Sequence, residues 1–500
     1  MQDTKQKRAI FAFQSFFETP LDEILTRCRR QSPEEAIVKL FHSVASGVHA
    51  YSDFLKTHGI DPASIQGFED FTKLPPISKK NYIQRYAIGE LCRGSDLSGC
   101  DMLALSSGST GLPTAWPRFI SDELQIAARF EQVFHDSFFA DQKRTLAIVA
   151  FALGTWVGGM YSAALCRHVA AKGYPIVVIT PGNNKEEIFR VLQSIGPSFE
   201  QVVLLGYPPF LKDLIDTGIA KGIDWGKYHI KLVLAGEVVS EAWRSLISER
   251  TQGVNPCYDS ASLYGTADAG ILGNETPLSI AIRRFLSNHP AQSRELFGES
   301  RLPTLVQYDP MSRYFECIER TLLFSGDNGV PLIRYNIHDT GGVIGYEDML
   351  AFLWDHGYDP ISELGAGARG VRELPFVYVF GRSDFTISYF GANIYPENIS
   401  VGLEEAPICN WVTGKFVLES KEDADKNAYL SITVELLPGI LGDEGMSEAV
   451  ALSVEKHLYR LNSEFAHYVP AERRKPVITL AKAGDPLHFP VGVKHRYTRR

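Results

Sequence analysis

Between residues 145 and 250, apolar runs of five to seven residues alternate with amphipathic stretches. TLAIVAF precedes a helical run ending RHVAAKG, and YPIVVIT precedes NKEEIFRVLQSIG. QVVLLGYP then precedes PFLKDLIDTGIAKG, and IKLVLAGE precedes SEAWRSLISER. Continuously apolar strands separated by amphipathic helices predict a parallel sheet covered on both faces. Ligands of such sheets sit outside the carboxyl ends of the strands, so the loops that follow these runs carry most of the functional weight.

The rhythm changes on either side. Residues 1 to 100 are expected to be mainly helical and end in the Pro-bearing KLPPISKKN. From about 300 to 383 the texture is short strands and turns, as in RTLLFSGDNGVPLIRYNIHDTGGVIGYE. Beyond Asp384 a smaller unit is expected, with a hairpin in GKFVLESKEDADKNAYLSITVELLPG, a helix in SEAVALSVEKHLYRLNSEF and a strand in KPVITLA. The predicted class is α/β. A large N-terminal domain, residues 1–383, has mostly parallel sheets flanked by helices plus a β-rich subdomain, and a small α+β C-terminal domain covers 384–500. The charged KEDADK reads as a solvated hairpin tip.

Composition narrows the function. The chain has 500 residues, 45% apolar and 22% charged, with a net charge of −9 and no dense Lys/Arg tract. A nucleic-acid partner is therefore not expected, and small molecules are. Seven scattered cysteines without a C-x-x-C pair read as reduced thiols of a cytoplasmic protein rather than as a disulfide framework or a zinc site. The first residues, MQDTKQKRAIFAFQSFFETPLDE, lack the long apolar stretch and cleavage site of a signal peptide. One uncharged run of 22 residues, TLAIVAFALGTWVGGMYSAALC, is long enough to cross a bilayer. Its central glycines and the β-branched residues before them favour a buried strand, a turn and the start of a packed helix instead, and no membrane is expected.

One motif match is set aside. GAGARG at Gly365 to Gly370 has the G-x-G-x-x-G pattern, but a strand-like ELPFVYVFG follows where a dinucleotide site needs a helix. Neither G-x-x-x-x-G-K-[ST] nor G-x-S-x-G occurs, so the chain is not read as a P-loop NTPase or an α/β-hydrolase.

The stretch SSGSTG, Ser106 to Gly111, is composed wholly of serine, threonine and glycine. Backbone N–H groups in a glycine-bearing turn form an anion-binding concavity that hydroxyls reinforce, and glycine lets a phosphate approach the backbone. A flexible polar loop is the alternative on composition alone. The surrounding motifs run in a fixed order: LPPISKK, SSGSTGLPT, LAGEVVS, SLYGTADAG, PLIRYNIHDTGG and FGRSDFTISYFGANIYPENI. Together they resemble the adenylate-forming superfamily, and most closely its phenylacetate–CoA ligase branch, over roughly residues 40 to 500. In that branch a threonine, here Thr114, commonly replaces the lysine that follows the phosphate loop.

The resemblance implies roles for individual residues. Ser106, Ser107, Gly108, Ser109, Thr110 and Gly111 would wrap the outer phosphates of ATP. Gly236, Glu237, Tyr264, Gly265 and Thr266 would border the nucleotide, with Asp339 and Arg382 on the ribose hydroxyls. Asp268 stands where relatives carry a glutamate that binds Mg²⁺, after Ala267 in place of a hydroxyl residue; aspartate remains a suitable oxygen ligand. Lys494, one residue past the family's usual Gly-Lys pairing, would reach the α-phosphate during adenylation. Asp384 would be the hinge of a mobile C-terminal domain, and Phe151 and Trp156 would line an apolar or aromatic-accepting acid pocket.

The implied reaction joins a carboxylate to AMP with loss of pyrophosphate, then passes the acyl group to a thiol, with coenzyme A leading. Two anions meet in the first step, so Mg²⁺, the loop donors and one lysine are needed to neutralise charge as it develops. A second reading keeps adenylation but transfers to a carrier-protein thiol, an amine or a hydroxyl. A third is a non-catalytic nucleotide-binding protein.

Overall fold

The computed structural model describes residues 2–500 apart from 106–113, 152, 155–156, 237, 300, 366–367, 383–386, 390–391, 424–427, 463–464, 467–468, 470, 491–494, 496 and 499–500. The strands, in chain order, begin with β1 (Met102–Leu105), β2 (Ala115–Arg118), β3 (Thr145–Val149), β4 (Ile176–Ile179), β5 (Gln201–Gly206) and β6 (Lys231–Ala235). There follow β7 (Ser260–Thr266), β8 (Gly270–Asn274), β9 (Thr304–Gln307), β10 (Tyr314–Ile318), β11 (Thr321–Gly326), β12 (Leu332–Ile344) and β13 (Phe376–Arg382). The last are β14 (Ile387–Tyr389), β15 (Ala392–Ile394), β16 (Val412–Glu422), β17 (Ala428–Leu436) and β18 (Val477–Ala481).

Eleven of these form one sheet in the order β10-β11-β12-β13-β9-β8-β7-β6-β5-β3-β4. Strands β4, β3, β5, β6 and β7 pair in parallel, as the apolar runs predict. Alternate residues of β3 show why those runs are unbroken. Ala147 and Val149 enter one core and Leu146 and Ile148 the other, so both faces are apolar. The helices between them are Val157–Ala171, Lys185–Ile195, Pro208–Ala220 and Glu241–Arg250. Asn184 and Ser240 cap the second and fourth by accepting backbone N–H bonds.

The β-rich region expected after residue 300 is not a separate layer. At β7 the sheet turns antiparallel, and β8, β9 and β13 to β10 continue the same surface. The helical N-terminal region packs on this antiparallel half, burying Phe41, Tyr51, Phe54, Tyr82 and Phe71 against Tyr335, Phe324 and Leu332. LPPISKK runs alongside β12, where Ile77 bridges to Tyr335.

The uncharged run from 145 to 166 divides into β3 and the helix Val157–Ala171, and among the described residues no helix is long and apolar enough to cross a membrane. GAGARG falls between the short helix Pro360–Leu364 and β13, without the strand-then-helix order of a dinucleotide fold. From Ile387 the chain builds its own core. The β16–β17 hairpin, β18 in parallel on β17, and the helix Glu444–Leu461 enclose Phe416, Ile432, Val454 and Leu458.

Candidate active site

Three parallel strands deliver their following residues to one place. After β3 comes Phe151, 1% exposed; after β5 comes Tyr207, half-buried, its ring edge-on to Phe151 with centroids 4.9 Å apart. After β6 comes Gly236 at φ +82°, where a Cβ would lie 2.9 Å from the Tyr207 ring. Glycine is required there both by the left-handed backbone and by the space. Tyr207 therefore stands between the predicted acid-pocket residue Phe151 and the predicted nucleotide residue Gly236. Phe151 is a core residue that braces it. Trp156 and Glu237 lie outside the described residues.

SLYGTADAG covers the end of β7, the turn 267–269 and the first residue of β8. Gly265 permits a sharp close approach, since a Cβ would meet the Gly270 carbonyl at 2.7 Å. The Thr266 hydroxyl accepts the Ala269 N–H at 3.2 Å, closing the turn. Two buried arginines then hold the loop by its backbone. Arg118 donates to the Ala267 carbonyl, and Arg313 donates to the Ala269 carbonyl at 3.3 Å. With both neighbouring carbonyls held, Asp268 is fixed at 3% exposure. Close to these arginines, burial pushes the Asp122 carboxyl up to about 7, with Asp327 adding to the effect.

Asp268 meets two groups from distant segments. Its Oδ2 accepts the Tyr335 hydroxyl at 2.6 Å, and its Oδ1 faces the Lys79 ammonium at 3.6 Å, an ion pair longer than a hydrogen bond. Lys79 is placed by the backbone before it: Ile77 N–H donates to the Arg334 carbonyl at 3.2 Å, and Asn336 N–H donates to the Ile77 carbonyl at 2.8 Å. The Lys79 ammonium also lies 5.8 Å from the Trp116 ring centroid, just after the SSGSTGLP segment. Among the described residues no cluster of three or more His, Cys, Asp or Glu could hold a metal alone. A single carboxylate oxygen at Oδ1 suits Mg²⁺, which is commonly bound by one or two carboxylates plus substrate phosphates and water.

On β7, just before this turn, Tyr264 donates to Asp339 Oδ2 at 2.6 Å, and both residues are buried. His338, at φ +64°, kinks β12 immediately before Asp339. The β12–β13 register sets Asp339 opposite Arg382, the other residue expected at the ribose. The structure thus brings together Tyr264, Gly265, Thr266 and Asp268 on one strand and loop, with Asp339 beside them.

The SSGSTG loop is bracketed by β1 and β2, whose last pair is Leu105 with Ala115. Ser106, Ser107, Gly108, Ser109, Thr110, Gly111, Asp384 and Lys494 lie outside the described residues, as does the Arg382 side chain. Sequence reading missed Lys79, Tyr207, Tyr335, Arg118 and Arg313. Lys79 had a signal in the LPPISKK motif, whereas the others act through contacts between segments far apart in the chain.

No protein-family model matches the chain, and no curated protein matches it by sequence. Solved structures match it by fold. The 2-hydroxyisobutyryl-CoA ligase in its postadenylation state, in complex with R3-HIB-AMP, superposes with a TM-score of 0.67 at 14% identity, over 93% of this chain and 88% of that one. The same ligase in complex with 2-HIB-AMP and CoA in its thioesterification state gives 0.53 at 14% identity, over 93% and 89%. Its open conformation gives 0.54 at 13% identity, over 93% and 90%. The chain therefore shares the fold of this CoA ligase over nearly its whole length.

Proposed function

We propose that this protein uses ATP to convert a carboxylic acid to an acyl-adenylate and then transfers the acyl group to a thiol, with coenzyme A the leading acceptor, after the manner of phenylacetate–CoA ligases. The observation that carries the reading is the pairing of Asp268 with Tyr335 and Lys79 beside the Tyr264–Asp339 pair. Three residues singled out by motif order, Tyr264, Asp268 and Asp339, lie close together at and after the carboxyl end of β7, where ligands of such sheets bind, and packing adds Tyr335 and Lys79 to them.

In this reading the loop Ser106–Gly111 holds the outer phosphates with amide and hydroxyl donors, and Lys79, paired with Asp268, adds positive charge to the site. Asp268 would hold Mg²⁺, whose charge offsets that of the polyphosphate and its leaving group. Asp339 and Arg382 take the ribose hydroxyls, while Gly236, Glu237 and Tyr264 border the base. Lys494 reaches the α-phosphate as the acid attacks, and the C-terminal domain, 384–500, then turns about Asp384 to admit the thiol. Tyr207, backed by Phe151, gives the acid an aromatic wall, which favours an apolar or aromatic acid.

The test is incubation of the protein with ATP, Mg²⁺ and a panel of aromatic and aliphatic acids, following AMP and pyrophosphate. Coenzyme A, a carrier-protein thiol or an amine added to the preformed adenylate then identifies the acceptor. Release of ADP and phosphate, or no cleavage of ATP with any acid, would overturn the proposal.

A further inference from the structure

The helix Pro208–Ala220 begins directly after Tyr207 and carries Lys212, which is 2% exposed. An ammonium has three donors, and all three are engaged here. One pairs with Asp216 Oδ2 of the same helix at 3.0 Å. The other two cross to the C-terminal block, donating to the Val412 carbonyl at 2.8 Å and the Cys409 carbonyl at 3.3 Å. Arg250, at the end of the helix Glu241–Arg250, also donates to the Cys409 carbonyl, at 3.1 Å, and pairs with Asp216. Ser240, at the start of that helix, is hydrogen-bonded to Glu404 of the C-terminal block.

Burying a lysine is costly unless its donors are satisfied. Lys212 meets that condition only while the turn Ile408–Asn410 and the start of β16 are seated on it. If the C-terminal block moved away, Lys212 would keep Asp216 and exchange two carbonyls for water. Both acceptors on the C-terminal side are main-chain atoms, so the selectivity of the contact lies in Lys212 and Arg250.

We propose that Lys212, assisted by Arg250, is a positioning residue for the first half-reaction: it latches the C-terminal block in the arrangement that forms the adenylate. This rests on the proposed two-step reaction, in which that block presents Lys494. The better superposition on a postadenylation state than on a thioesterification state accords with it. One charge-assisted hydrogen bond at the low end of its range corresponds to about a tenfold bias of the docking equilibrium, a floor for the two carbonyls together.

The experiment compares wild type with Lys212→Met, which keeps the length of the side chain without its donors, and with Lys212→Arg. Pyrophosphate release from acid and ATP should fall about tenfold in Lys212→Met. Thioester formation from supplied acyl-adenylate and coenzyme A should hold or rise, and Lys212→Arg should recover part of the loss. Small-angle scattering should show the Lys212→Met block displaced relative to wild type. Equal slowing of both half-reactions, or scattering identical to wild type, overturns the latch. If wild type itself cleaves ATP with no acid, the functional reading fails and the scattering alone decides the latch. Should Lys212→Met not fold, Arg250→Gln carries the same comparison with the same outcomes.

Discussion

The phenol of Tyr335 donates to Asp268 Oδ2 across 2.6 Å, although the two residues stand 67 positions apart in the sequence. With Arg118 and Arg313 on the flanking carbonyls, this bond fixes which oxygen of Asp268 remains directed at Lys79 and, in the proposed reaction, would be offered to Mg²⁺. Asp268→Asn removes the charge, and pyrophosphate release is expected to fall roughly 10²- to 10³-fold. Tyr335→Phe leaves the charge but frees the carboxylate to turn, at a cost of about tenfold. The Mg²⁺ concentration for half-maximal rate should rise in Tyr335→Phe, measured by titrating the cation at saturating ATP. An unchanged cation requirement would reduce the phenol to packing.

A second buried charge cluster is bonded to the backbone of β7, the strand that carries Tyr264. Glu275 accepts from Arg244 at 2.8 and 2.9 Å, from Arg283 at 3.0 Å, and from the Ser262 N–H of β7 at 2.8 Å. Burial works against its charge, yet Arg244 and Arg283 hold its carboxyl below the usual range. Removing one member of a buried pair leaves an uncompensated charge, so Glu275→Ala should destabilise by about 3–5 kcal/mol. Denaturant unfolding of the variant against wild type measures it, and a loss under about 1 kcal/mol would contradict the role.

The parallel half of the sheet was legible because its strands are buried on both faces and read as unbroken apolar runs. Its continuation into the antiparallel half was not. The reversal depends on β8, GILGN, whose two glycines carry no strand pattern although all five residues are buried. The residues of the site that stand in motifs, Tyr264, Asp268 and Asp339, could be named in advance because their chemistry is tied to order along the chain. Arg118 could not, since it acts on a carbonyl 149 positions away and nothing in TAWPRF announces a partner. The Glu275 cluster escaped for the same reason: its charges are scattered through LGNETP, AWRS and AIRRF, and only packing joins them.

Lys494 is assigned from motif order, and kinetics can separate that role from a place in a basic tail. Lys494→Ala should slow adenylate formation by about 10²- to 10³-fold, the effect of losing one preorganised donor to developing charge. Thioester formation from supplied acyl-adenylate should be nearly unaffected. Single-turnover measurement of each half-reaction checks this, and equal losses in both would move the assignment to another residue.

Docking of the C-terminal block should depend on pH through Glu404. In the docked arrangement burial pushes its carboxyl up to about 7, while Ser240 and Lys212 favour the charged form and Glu241 opposes it. Asp216 and Arg250 lie on the same face, each contacting Lys212 or Cys409. A carboxyl whose value is raised on docking binds a proton as the contact forms. Its contribution is therefore complete below the ordinary carboxylate range and is lost as pH rises through about 7. Scattering should report the docked arrangement more fully near pH 5.5 than near pH 8, a change on the order of tenfold in the docking equilibrium. Glu404→Gln, neutral at every pH, should stay docked at pH 8 and flatten the profile. A profile equally steep in Glu404→Gln would place the titrating group elsewhere.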